Sequence, residues 1–161
     1  MTFVLSEKTK QHIDHWLKKY PADQRRSAII ASLLTAQEQN NGYLSEKAMN
    51  AVADYLQIPR VEAYEVATFY DMYHLKPIGK HKIAVCTNIS CMLRGSDEIL
   101  AHFKKKLGIS PGETTSDGKF TLREVECLAA CGGAPMCQMN DREYIEHLTI
   151  EKIDALIEKC E

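Results

Sequence analysis

Four of the six cysteines in this 161-residue chain fall into two tight pairs. Cys86 and Cys91 enclose four residues, Cys127 and Cys131 enclose three, and 35 residues separate the pairs. Thiolates are soft, anionic donors that suit iron, zinc and inorganic sulfide. A [2Fe–2S] core takes four of them, two on each iron, from loops that converge without strain. Each pair here can sit on a loop that follows a strand, so Cys86, Cys91, Cys127 and Cys131 are the candidate ligands of one such cluster. Gly95, Gly132 and Gly133 are placed to let backbone N–H groups approach its sulfurs, and Pro135 would stiffen the exit from the second loop. Spacing alone also leaves zinc open, because structural zinc sites use short cysteine knuckles as well. Disulfides fit an oxidising compartment, and Met1–Lys10 lacks the apolar segment and cleavage site of a secretory signal. Single buried thiols are common, but two tight pairs with glycine-bearing loops are hard to explain that way.

The rest of the chain offers little other chemistry. Cys137 reads as a buried thiol in a strand, or as a neighbour able to replace a lost ligand. Cys160 reads as a surface or packing residue. The six histidines are scattered without ligand spacing, and no nucleophile–base pair accompanies them, so no catalytic residue is expected. Phe69, Tyr70 and Tyr73 form an aromatic stripe that can pack a core or meet a partner. Lys104, Lys105 and Lys106 suit the solvated C-terminus of a helix. There is no Gly-x-Gly-x-x-Gly, P-loop or flavin fingerprint, so any nucleotide is expected on another chain. The net charge of −2 gives no basic surface for nucleic acid. The longest apolar runs are too short to span a bilayer, so no direct membrane insertion is expected.

These cysteines need elements to hold them. Ser6 caps a predicted helix to about Lys19, with Ile13, Trp16 and Leu17 on one face. A second runs from about Asp23 to Gln39, with Ile29, Leu33 and Ala36 at helical spacing, and Asn40-Asn41-Gly42 ends it. Ser45 caps a third, with Met49, Val52, Ala53 and Leu56 inward. Pro59 fits the first turn of a fourth, to about Phe69. Pro77 and Gly79 mark a boundary. Beyond it the period changes. A strand is predicted at 81–86, a helix at 96–107 stopped by Gly108, and a strand over 119–125 after the Asp117-Gly118 turn. Short strands follow near 136–139 and 144–147, joined by Asn140-Asp141. Thr149 caps a last helix with Ile150, Ile153, Leu156 and Ile157 inward.

Several stretches carry a resemblance. Thr87-Asn-Ile-Ser-Cys91, Glu126-Cys-Leu-Ala-Ala-Cys-Gly-Gly-Ala-Pro135 and Thr115-Ser-Asp-Gly-Lys-Phe-Thr121 resemble the thioredoxin-like [2Fe–2S] ferredoxin family. Gln37-Glu-Gln-Asn-Asn-Gly-Tyr-Leu-Ser45 and Val66-Ala-Thr-Phe-Tyr-Asp-Met-Tyr73 extend the likeness over roughly residues 10–160. The resemblance implies an α+β chain: a helical bundle for partner docking, about 1–78, then a thioredoxin-like α/β [2Fe–2S] cluster domain, about 79–161. It implies an electron-transfer subunit of NADH–quinone oxidoreductase, the respiratory complex I. Its [2Fe–2S] cluster would exchange single electrons with FMN on a partner subunit that also binds NADH. The chain would make no bonds itself and would lie on the cytoplasmic, inner face of the membrane through the complex. A diaphorase subunit of an NAD-linked hydrogenase or formate dehydrogenase, or a stand-alone carrier, is the competing expectation.

Overall fold

A computed structural model describes residues 3–160. The chain divides into two compact units, Met1–Pro77 and Ile78–Glu161. Among the described residues no helix is long and apolar enough to cross a membrane.

The first unit is helical: α1 (Glu7–Leu17), α2 (Ile29–Gln39), α3 (Glu46–Leu56) and α4 (Arg60–Phe69). Local chemistry sets the ends. The Ser6 and Ser45 hydroxyls accept the backbone N–H groups of Thr9 and Ala48, satisfying donors that a helix start leaves unpaired. The left-handed Asn41 and Gly42 close off α2. One expectation changes. The predicted helix over 23–39 begins instead as a 3-10 turn, Arg25–Ala28, and becomes α-helical only at Ile29. Gln24 offers no side-chain cap, and Arg25 turns its guanidinium onto the carbonyls of Leu56 and Tyr55, at 2.8 and 3.2 Å. Ile13, Leu33, Ala36, Leu44, Val52 and Leu56 are fully buried at the centre. The segment after α4 is laced to α2: Gln37 donates to the Met72 carbonyl and accepts the His74 N–H, and the Tyr73 hydroxyl donates to the Ile30 carbonyl.

The second unit is a four-stranded sheet of β1 (His81–Cys86), β2 (Phe120–Val125), β3 (Cys137–Met139) and β4 (Glu143–Ile145). Its order is β2-β1-β3-β4, and its two long helices cover one face. The helices are α5 (Ile89–Met92), α6 (Ser96–Leu107) and α7 (Ile150–Cys160). β1 and β2 are parallel, with His81 opposite Phe120 and Cys86 opposite Val125. Parallel neighbours need a long crossover, and α6 supplies it. β3 runs antiparallel to β1, and β4 antiparallel to β3. Their connection, Asn140 and Asp141, has both φ angles positive, as a tight hairpin turn requires. Asn140 accepts the Lys82 N–H, and the Lys82 ammonium pairs with Asp141. Ile83, Val85, Leu122, Cys137 and Met139 pack against Ile99 and Phe103 of α6 and Ile153 and Ile157 of α7.

Candidate metal centre

The parallel ladder brings the two cysteine pairs to the same end of the sheet. Cys86 is the last residue of β1 and lies opposite Val125, the last residue of β2. Beyond them the chains stay joined: the Thr87 N–H donates to the Val125 carbonyl at 3.1 Å, and the Thr87 hydroxyl to Glu124 at 2.9 Å. Cys91 follows on the one-turn helix α5, whose first N–H, at Ile89, is capped by the Asn88 side chain at 2.7 Å. Cys127 stands two residues past β2, and Cys131 opens a 3-10 turn, Cys131–Gly133. That second loop is pinned from behind. Gly133 and Pro135 present their carbonyls to the N–H groups of His147 and Leu148, and Met136 accepts the N–H of Cys86.

Cys86 and Cys91 are buried with Ala134 and Met136 in a small apolar cluster against which Leu128 and Ala130 pack. Cys127 and Cys131 are exposed, and all six thiols are free. The Cys91 thiol is pushed up to about 11, first by burial and then by a hydrogen bond and the charge of Cys86; Cys131 adds in the same direction. The Cys91 thiol therefore feels both Cys86 and Cys131, and such neighbours penalise its thiolate form. Cys127 is held differently: its sulfur accepts the Ala129 N–H at 3.3 Å, and Ala129 has φ +58°. Among the described residues, no three cysteine, histidine, aspartate or glutamate side chains stand at the spacing of a closed metal site. The structure thus buries Cys86 and Cys91 together and leaves Cys127 and Cys131 exposed on the second loop at the same sheet end. An all-sulfur donor set on two loops, with a backbone N–H already aimed at one sulfur, fits iron and sulfide.

Other sequence expectations resolve differently. At Gly95 a Cβ would meet no protein atom within 4 Å, so protein packing does not require glycine there. Its φ of +88° instead turns the chain from α5 into α6. At Gly133 a Cβ would fall 2.3 Å from the side chain of Glu146. Cys137 packs in the helix-covered core and not with Cys86. Phe69 is 78% exposed whereas Tyr73 is buried, so the aromatic stripe divides between surface and core. The sequence reading missed α5 and the left-handed Ala129. Asn88, a capping residue three positions before Cys91, was the available signal for α5. A cavity of about 720 Å³ lined by Leu107, Gly108, Ile109 and Glu113 to Asp117 lies at the opposite end of α6 from Cys91 and contains no cysteine.

The chain has clear relatives. The pattern of the family described as thioredoxin-like [2Fe-2S] ferredoxin matches residues 13–161. The E subunit of the NADH-quinone oxidoreductase of Rickettsia bellii is 50% identical over 157 residues, covering 98% of this chain and 93% of that protein. The mitochondrial NADH dehydrogenase [ubiquinone] flavoprotein 2 of Dictyostelium discoideum is 48% identical over 147 residues, 91% of this chain and 59% of the relative. The solved NAD+-reducing [NiFe]-hydrogenase in its air-oxidized state matches with a TM-score of 0.69 at 26% identity. That match covers 80% of this chain and 22% of the hydrogenase chain.

Proposed function

This chain belongs to the thioredoxin-like [2Fe–2S] ferredoxin family, and from that premise we propose that it is the one-electron carrier subunit of an NADH–quinone oxidoreductase. Cys86, Cys91, Cys127 and Cys131 are the proposed ligands of its single [2Fe–2S] cluster. The observation that carries the ligand assignment is the parallel β1–β2 ladder, which delivers Cys86 and Val125 side by side and so sets both cysteine loops at one sheet end. The bound cluster would accept and release one electron at a time. The residues around it bind and shield: Cys86 and Cys91 lie in an apolar wall that excludes water, and the exposed second loop leaves a path for the electron. Near-full-length identity of 50% to the Rickettsia bellii oxidoreductase protein supports placement in a multisubunit complex. FMN and NADH then belong on a partner flavoprotein. The chain would lie at the membrane's cytoplasmic face through its partners.

Anaerobically purified protein is expected to hold about two irons and two labile sulfides per chain, and to give an S = 1/2 EPR signal on reduction. Serine at any of the four ligands should weaken or abolish that signal, since an alkoxide is a harder donor than a thiolate. One equivalent of zinc without sulfide is the result that defeats the assignment. The hydrogenase match supports a second host, an NAD-linked hydrogenase diaphorase, at lower identity. Co-purification decides between them by the flavoprotein recovered.

A further inference from the structure

Arg94 stands three residues past Cys91, and Ala134 three residues past Cys131. Each belongs to the turn that follows a cysteine pair. The Arg94 N–H donates to the Cys91 carbonyl at 3.1 Å, so its backbone is fixed to the first loop. The Ala134 N–H donates to the Cys131 carbonyl, closing the 3-10 turn of the second. The Arg94 guanidinium crosses between them, with Nη1 3.5 Å from the Ala134 carbonyl. Ala134 is buried against Cys86, Cys91 and Met136, and Arg94 is exposed, so its permanent positive charge meets the wall of the cysteine site from the solvent side.

We propose that Arg94 is a positioning residue for the cluster, tying the two ligand loops together and setting its reduction potential through its charge. The inference rests on the cluster reading above. Reduction adds a negative charge to a site that already gathers four thiolates. A nearby cation stabilises the reduced form more than the oxidised one and raises the potential. The contact with Ala134, long for a charge-assisted bond, is a modest tie between the two loops. Glu146, which follows β4, lies with its side chain against Gly133 and so sets an opposing carboxylate beside the second loop.

The test uses the full chain with its cluster loaded. Wild type, Arg94→Gln, Arg94→Lys and the distant charge control Lys105→Gln are titrated by EPR-monitored reduction. Iron release to a chelator is followed in parallel. Arg94→Gln should lower the midpoint potential and release iron about fivefold faster, the scale of one ordinary hydrogen bond. Arg94→Lys should recover the potential, and Lys105→Gln should match wild type. A loaded wild type with an unmoved potential in Arg94→Gln overturns this inference alone. So does a fall in potential that Lys105→Gln reproduces, or one that lysine at position 94 fails to recover. A wild-type chain that takes up no iron and sulfide overturns the cluster reading, and the inference with it.

Discussion

Cys137 lies only six residues past Cys131, yet the chain turns its thiol into the opposite face of the sheet. It pairs with Val85, and both sit in the core covered by α6 and α7, whereas Cys86 faces the small cluster with Cys91. Successive strand residues point to opposite faces, so Cys137 cannot reach the candidate ligands without inverting β3. Cys137→Val should therefore leave the EPR signal and iron content unchanged. Burial, with the Glu143 carboxylate second, pushes the Cys137 thiol up to about 12. Below pH 9 the thiol is neutral in both folded and unfolded chains. Between pH 9 and 12 the unfolded chain loses the proton and the folded one keeps it. Stability should fall there by up to about 1.4 kcal/mol per pH unit. Urea unfolding of Cys137→Val between pH 8.5 and 10.5 should show a flatter decline than wild type; equal slopes would contradict the burial argument. At this scale the sequence was informative about kinds of side chain and poor about their direction. Cysteine spacing named the candidate ligands. The side taken by Cys137 depends on β3 register, and the crowding at Gly133 on Glu146, which only the fold brings against it.

The ladder between β1 and β2 depends on a residue outside both. Gly79 donates its N–H to the Thr121 hydroxyl at 2.6 Å, and a Cβ on it would fall 2.8 to 2.9 Å from the backbone of Lys119 and Phe120. Backbone cannot step aside as a flexible side chain can. Gly79→Ala should cost about 2 kcal/mol, lower the melting temperature, and speed cluster loss, because the same ladder sets the cysteine loops. Calorimetry and chelator challenge on the same samples check both effects. In the first unit, Tyr73→Phe leaves the Ile30 carbonyl without its hydroxyl partner and should cost about 1 kcal/mol with no effect on the cluster signal. Long elements with clear punctuation were legible: β1 and α6 run as the sequence predicts, because Gly108 stops the helix in the left-handed conformation. The exceptions are short. α5 is a single turn with too few residues to show a period, and the 3-10 start before α2 answers to Arg25 contacts 30 and 31 residues away.

At the scale of the molecule the two units each carry their own core. Residues 78–161 expressed alone should fold, take up iron and sulfide and colour, while losing stable association with a flavoprotein; retention of that association would assign docking to the cysteine-bearing unit. The motivation is the first unit itself, which has no cysteine but exposes Val61, Phe69 and Leu75. A division near Pro77 was visible in the sequence because proline, glycine and a change of period coincide there. The parallel pairing of β1 and β2 has one more consequence, which concerns inheritance more than chemistry. Since the ladder and not the connection holds the loops adjacent, the residues between α6 and β2, 108–119, are free to change in number. Extra residues in the turns between α6 and β2 would lengthen a detour without moving its end points, at a closure cost that grows only logarithmically. Descendants of this fold can thus vary widely in the distance between cysteine pairs while the four- and three-residue intervals within them stay fixed.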